Sequence, residues 1–306
     1  MKAILYEKYG PPEVLQIRNI PKPTPKDNEL LIKIIATTLH RGDTRMRSLS
    51  IPGSMFEKVM GRLFLGVTGP KRKILGMELA GKVESVGKNV TRFSEGDEVF
   101  ASTGINFGAH AEYACLPQDG VIALKPGNMT FDEAAPVPAS GCAALVYLRD
   151  TGKIKRDDRV LINGASGALG TYGVQIAKSF GAEVTGVCST VNIDLVNSLG
   201  ADHVIDYTEE NFTESENQYE LIFDAVSKSS KSECRNILAP NGRYITTTGP
   251  EPRHEDLLFL KELSEAGKLR TVIDRSYPLD EIIEAHRYVE KGHKKGNVVI
   301  NVTSER

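Results

Sequence analysis

Between Val160 and Lys178 the chain reads Val-Leu-Ile-Asn-Gly-Ala-Ser-Gly-Ala-Leu-Gly-Thr-Tyr-Gly-Val-Gln-Ile-Ala-Lys. An apolar run ends at Asn163, Gly164, Gly167 and Gly170 punctuate the turn, and small and apolar residues follow at helical spacing. Glycine there lets the backbone turn sharply and approach a pyrophosphate. The following helix offers that anion unpaired N–H groups and the positive end of its dipole. Glycines at this spacing mean little alone; between a strand-like and a helix-like run they indicate a dinucleotide site. Asn163, Gly164, Ala165, Ser166, Gly167, Ala168, Leu169 and Gly170 are the expected cradle.

The elements that must hold this turn are legible on both sides of it. From Thr130 the pattern is helical, opened by a Thr130/Glu133 capping box and running to about Arg149. Strands at 159–163, 183–187, 203–205, 220–224 and 243–247 then alternate with helices at 169–180, 191–199 and 230–238. That alternation predicts an α/β unit with a parallel sheet. Residues 1 to 125 differ: short apolar runs at 4–6, 14–20, 30–36, 81–86, 98–101 and 111–116 are separated by Gly, Pro and Asp turns. They suggest a compact antiparallel barrel or sandwich. A helix near Ser54–Leu65 lies within an irregular 44–72 excursion that could cover a substrate or simply wander over the surface. A last helix, Leu279–Lys291, and a strand, Asn297–Val302, should return to the β-rich part. The expected domains are 1–125 with 273–306, and 126–272.

Composition narrows the classes. The 306 residues are 40% hydrophobic and 25% charged, enough for about two domains. A net charge of -2 leaves no basic surplus for nucleic acid. Apolar runs fall far short of a membrane span, so no membrane partner is expected. Four cysteines without a Cys-x-x-Cys pair, and a start lacking an apolar signal region, fit a reduced, cytoplasmic protein.

Five motifs occur in order: Gly76-Met-Glu-Leu-Ala-Gly-Lys-Val-Glu-Ser-Val-Gly87, Gly96-Asp-Glu-Val-Phe100, Gly108-Ala-His-Ala-Glu-Tyr113, the glycine turn, and Ala285-His-Arg-Tyr with Lys295-Gly-Asn-Val-Val299. Together they resemble the medium-chain dehydrogenase/reductase superfamily, in particular its zinc-free quinone-oxidoreductase branch. The resemblance implies a Rossmann doubly wound parallel sheet plus a GroES-like β-barrel domain, with the active site in the cleft between them. It also implies NADPH-dependent reduction of quinones or activated alkenes.

Zinc is argued from donor types. A catalytic zinc takes three thiolate, imidazole or carboxylate ligands and keeps one open position. Where zinc alcohol dehydrogenases carry a cysteine, this chain reads Thr37-Thr-Leu-His-Arg-Gly-Asp43; where they carry Gly-His-Glu, it reads Gly76-Met77-Glu78. Methionine is a poor zinc ligand. His40, Asp43 and Glu78 could still converge on a metal, but a zinc-free site is expected.

The end of the second Rossmann strand, Cys188, Ser189 and Thr190, lacks the carboxylate that holds an NAD ribose. Small hydroxyls there suit a 2′-phosphate, so NADPH is preferred over NADH, with Lys178 or Lys228 as the cation; Asp194 could still reach back. Asp224, Ala225 and Val226 end the fourth strand, where cofactor riboses lie in relatives; the next residue, often glycine there, is Ser227. Thr247, Thr248 and Gly249 end the fifth strand, and Asn297 reaches from the tail.

For catalysis the candidates are His40 and Asp43. His40 stands where zinc-free relatives commonly carry Asn. It could donate to an enolate and relay a proton, or bond a backbone carbonyl; Asp43 could orient it or the ribose, or cap a turn. His110 and Tyr113 read as strand residues, His110 partly exposed, and Phe64 and Phe107 as apolar walls or core. The segment after Gly249 is short where relatives carry a dimer-forming edge strand, so a monomer or an atypical homodimer is expected. Competing readings are a zinc-type alcohol dehydrogenase, an enoyl-thioester reductase, or a catalytically silent NADPH-binding protein.

Overall fold

The computed structural model describes residues 1–50 and 55–303, without the side chains of residues 56–58 and 64. Ser54, placed in the expected helix, and the side chain of Phe64 therefore lie outside the described residues. The chain divides into two compact units, Met1–Ala139 with Ile273–Arg306, and Ser140–Val272.

The first unit opens with a hairpin of β1 (Lys2–Leu5) and β2 (Gln16–Asn19). The long strand β3 (Glu29–Thr38) is its hub. Its sequence, Glu-Leu-Leu-Ile-Lys-Ile-Ile-Ala-Thr-Thr, is almost wholly apolar, as a strand buried on both faces must be. Helices α1 (Arg41–Ser48) and α2 (Met55–Leu65) follow, then β4 (Glu78–Val86), β5 (Glu98–Ser102), β6 (Tyr113–Pro117) and β7 (Ile122–Leu124). The sheet β4, β5 and β7 builds outward from β3, which also takes β6 along its first half. Two register shifts in the β3–β4 ladder bend the pair and bring Thr37 opposite Leu79, one residue from Glu78.

The helix expected from Thr130 to Arg149 is interrupted. Its capping box forms, with the Glu133 amide donating to Thr130 Oγ1 at 3.2 Å and the Thr130 amide to Glu133 at 2.8 Å. Helix α3 nevertheless ends after Phe131–Ala134, and α4 (Cys142–Val146) lies between two wide π-type turns. Pro136 and Pro138 withhold the amides that a continuous helix needs.

In the second unit β8 (Arg159–Asn163), α5 (Ala168–Ser179), β9 (Glu183–Cys188), α6 (Ile193–Ser198), β10 (His203–Asp206), β11 (Tyr219–Asp224) and β12 (Leu238–Ile245) make a five-stranded parallel sheet. Its order is β10-β9-β8-β11-β12, so the winding reverses between β8 and β11. The helix expected at 230–238 is only a short turn, Glu233–Asn236. Ser230 Oγ takes the Glu233 amide at 3.3 Å as a helix cap would, but the chain enters β12 at Leu238, so only one turn fits before the strand. Helix α7 (His254–Glu265) closes the unit.

The tail rejoins the first unit. β13 (Ile273–Pro278) pairs with β14 (Asn297–Asn301), α8 (Ile282–Glu290) lies between them in sequence, and β14 lies antiparallel to the end of β3. No helix among the described residues is long and apolar enough to cross a membrane.

Candidate active site

In open parallel sheets ligands gather at the carboxyl ends of the strands where the winding reverses. Here those ends are Asn163 of β8 and Asp224 of β11, joined by an Asn163–Asp224 hydrogen bond of 3.1 Å. The glycine turn leaves β8 at that point. Gly164 has φ +81°, and a Cβ on it would lie 2.4 Å from Val226. Its amide and that of Ala165 both donate to the Val187 carbonyl, at 3.1 and 3.0 Å, so these two residues build the turn. A Cβ on Gly170 would meet the Gly164 oxygen at 2.1 Å. Gly167 differs: φ is -83° and the nearest atom to a Cβ is 3.4 Å away. The amides of Ala168, Leu169 and Gly170, in the first turn of the twelve-residue α5, find no partner among the described residues. Such a terminus attracts an anion.

Beside the turn, Asn192 donates to Ser166 Oγ at 3.1 Å and to Ser189 Oγ at 3.2 Å, a link invisible in the motif itself. The Cys188 side chain is buried and its thiol is pushed up to about 11 by burial and by Asp206. Thr190 lies 3.0 Å from Thr208 Oγ1, and both hydroxyls hydrogen-bond Asp206, holding its carboxyl below the usual range. A carboxylate therefore does stand beside Thr190, contributed by the next strand through the Cys188–Asp206 register.

Asp224 is buried, and its carboxylate takes Asn163, the amides of Val226, Lys228 and Ser229, and the Ser229 and Tyr244 hydroxyls. It organises the loop carrying Ala225 and Val226. Ser227 has φ +53°, a left-handed conformation that suits the glycine of relatives. Lys178 sits in the last turn of α5, about 15 Å along the axis from Ala168, and is bonded to Asp202. Through Asp202 it is tied to Val184 at the start of β9, so it does not stand at the far end of that strand, where the expected 2′-phosphate would lie. Thr248 and Gly249 lie in the exposed loop after β12, Gly249 close against Tyr147.

A second cluster forms in the first unit, where β3 runs into α1. Glu78, wholly buried at the start of β4, accepts from Thr38 Oγ1 at 2.6 Å, contacts His40 Nε2 at 2.5 Å, and takes the Ala139 amide at 2.7 Å. The His40 side chain is 15% exposed, so it is the member that faces solvent. Burial pushes its imidazole down. The Glu78 charge and hydrogen bond, aided by Asp43, outweigh burial and the repulsion of Lys294, and it titrates above the ordinary histidine value. His40 thus bonds a carboxylate and a hydroxyl rather than a backbone carbonyl. Asp43 is the cap: fully buried, it takes the His40 amide at 2.8 Å and the Gly76 amide at 3.1 Å. Lys294, absent from the sequence reading, completes the cluster electrostatically. Its ammonium donates to Gly296 O at 2.5 Å, and burial lowers it to about 8 against the pull of Asp274 and Glu78. Asn297 opens β14 and is buried.

His110 corrects another expectation. It is not a partly exposed strand residue but fully buried, with Nε2 2.9 Å from the Thr38 carbonyl and Nδ1 without a partner among the described residues. His286 of α8 meets it edge-on at 6.5 Å and is itself buried, with neither ring nitrogen bonded among the described residues. Burial lowers both imidazoles. His110 and Arg47 lower His286 further, while Asp43 raises and His40 lowers His110. Unfolded histidines bind protons below about pH 6.5 that these two refuse, so stability falls as pH drops below that value. The two buried imidazoles make urea unfolding easier at pH 5 than at pH 7.5, against the opposite contribution of His40, whose raised value favours the folded state at low pH. In His286→Leu the difference should shrink, and an unchanged pH slope would refute the assignment.

Phe107 is held at φ +55° and lines a cavity of about 360 Å³ with Tyr6, Met46, Leu65, Ile105, Lys71 and Arg72. Tyr113 lies in β6, under the Lys22 ammonium.

A zinc ion does not fit. Met77 holds the second ligand position, His40 Nε2 is taken by Glu78, and both Asp43 oxygens are taken by amides. Among the described residues no three His, Cys, Asp or Glu side chains gather to hold a metal.

Comparison with known proteins agrees with both units. Residues 26–126 match the alcohol dehydrogenase GroES-like domain family, and 199–257 and 247–300 match the zinc-binding dehydrogenase family. The chain is 32% identical to the 2-methylene-furan-3-one reductase of Solanum lycopersicum over 98% of its length and 79% of the relative's. It is 31% identical to the chloroplastic NADPH-dependent alkenal/one oxidoreductase of Arabidopsis thaliana, with the same coverage. The quinone oxidoreductase of Coxiella burnetii superposes with a TM-score of 0.86 at 29% identity, covering 99% of each chain. With the nucleotide-binding strand order, the bare helix terminus and relatives that span the whole chain, this protein belongs to the medium-chain dehydrogenase/reductase superfamily.

Proposed function

We propose that the protein is a zinc-independent, NADPH-dependent oxidoreductase that reduces quinones or enones by hydride transfer. The observation that carries this reading is the glycine turn, whose open face at Gly167 adjoins the three unpartnered amides of α5. The activities named for the tomato and Arabidopsis relatives and for the Coxiella enzyme support the acceptor class.

When bound, the reduced nicotinamide supplies the hydride. In an enone the new C–H bond forms at the β-carbon and the π electrons move onto the carbonyl oxygen. That oxyanion then needs a proton. The His40 imidazolium, paired with Glu78 through Nε2, is the proposed donor, and the Lys294 ammonium adds positive potential where the negative charge develops. After transfer, Glu78 and Thr38 hold the neutral ring in place for reprotonation. Asp43 acts one step back, fixing the backbone of His40.

NADPH is proposed over NADH because the Ser189 hydroxyl stands at the end of β9, while that of Thr190 is engaged by Asp206, and one named relative is NADPH-dependent. Asp206 opposes a 2′-phosphate by charge. An NADPH-oxidation screen over quinones, enones and aldehydes, run in parallel with NADH, tests the reading. Turnover confined to alcohols and dependent on added zinc would overturn it. In the same assay Asp206→Asn should raise the NADPH-to-NADH preference several-fold; an unchanged ratio would remove Asp206 from the ribose site.

A further inference from the structure

The outer flank of α2 is apolar and uncovered. Met55 is 76% exposed, Val59 51%, Met60 48% and Leu63 51%, with Val67 at 54% just beyond the helix. Val59 and Leu63 are one turn apart, so they form a continuous stripe. The inner side is anchored: Leu65 faces the Phe107 cavity, the Tyr9 hydroxyl donates to Gly66 O at 3.1 Å, and the Arg62 guanidinium lies 5.9 Å from the Tyr9 ring. The stripe is therefore presented by a fixed base.

Charge identifies what covers it. Residues 55–73 carry five cations, Lys58, Arg62, Lys71, Arg72 and Lys73, against one carboxylate, Glu57, within a chain of net charge -2, and Arg62, Lys71, Arg72 and Lys73 are exposed. One neighbour, Glu7, approaches Lys73 at 3.9 Å. An apolar stripe edged by cations suits the interface of a bilayer containing anionic lipid, the chains taking the stripe and the headgroups the cations. A second copy of this chain would set the same cations against each other across a two-fold axis.

We infer that α2 seats the protein on an anionic lipid surface, lying in the interface and not crossing it. This departs from the expectation of no membrane partner, which weighed only spanning segments. Lys71 and Arg72 also line the Phe107 cavity, so that seating brings the cavity to the bilayer. Uptake of an apolar quinone from the bilayer through it rests on the function proposed above; the seating itself does not.

Co-sedimentation of the full chain with phosphatidylcholine vesicles, with and without phosphatidylglycerol, tests the seating. Binding should be about tenfold tighter with phosphatidylglycerol and should weaken with added salt. The exposed double variant Val59→Asp/Leu63→Asp should lose it about tenfold while keeping its melting temperature and its turnover of a water-soluble quinone. With a long-chain quinone dissolved in vesicles, only the variant should slow. No binding, or equal binding to both vesicles, overturns the proposal; so does a wild-type dimer that the double variant dissociates. Salt-sensitive vesicle binding with no turnover of any quinone would leave the seating standing and remove the function.

Discussion

Gly167→Val should abolish NADPH binding and leave the protein folded. The position is an N-cap with φ -83° and ψ 179°, an extended conformation that valine prefers. Its Cβ would have no neighbour closer than 3.4 Å, so the backbone accommodates a side chain at this position. What the valine fills is the open space above the first turn of α5, where a pyrophosphate would reach the amides of Ala168, Leu169 and Gly170. Losing that approach should weaken affinity by at least about a hundredfold, roughly 3 kcal/mol, read by nucleotide fluorescence titration beside a thermal melt. Gly170→Ala is the contrasting variant. Its Cβ would lie 2.1 Å from the Gly164 oxygen, so it should lower the melting temperature before it changes affinity. Unaltered NADPH affinity in a folded Gly167→Val protein would place the nucleotide elsewhere.

The contrast between these glycines marks what a sequence can carry. The turn was legible because its requirements are local: a strand that ends, residues without Cβ, a helix that begins. β3 was legible for the same reason, since a strand buried on both faces is written as an unbroken apolar run. The partners of His40 were not. Glu78 lies 38 positions away and reaches His40 only through the β3–β4 register, itself displaced by two shifts that no periodicity encodes. Asp206 was missed likewise, because it belongs to the strand beside β9. Lys294 sits one residue before a recognised motif, and only burial makes its ammonium unusual. His110 was misread because alternation along a short strand gives no measure of what packs over it. The helix expected at 230–238 shrank to one turn because β12 begins at Leu238, a strand start that the sequence pattern placed five residues later.

The catalytic cluster makes the other large prediction, in the pH profile. His40 donates only while protonated, so its contribution is present at low pH and is lost as pH rises through its raised value. His40→Ala should lower kcat on an enone by about 10² to 10⁴, with little change in NADPH affinity. Partner substitutions should move the alkaline limb of kcat in opposite directions. Glu78→Gln removes the charge that raises His40, so the limb should shift toward acid. Lys294→Met removes a cation that lowers His40, so below about pH 8, where that ammonium is charged, the limb should shift toward alkali. Asp43 faces the same ring and raises it, but Asp43→Asn also loosens α1, so its shift would be harder to assign. A merely structural role for Glu78 and Lys294 would change activity without moving the limb. Equal kcat in His40→Ala and wild type, or shifts of the same sign in the two partner variants, would hand the proton to water and leave the cluster with only a packing role.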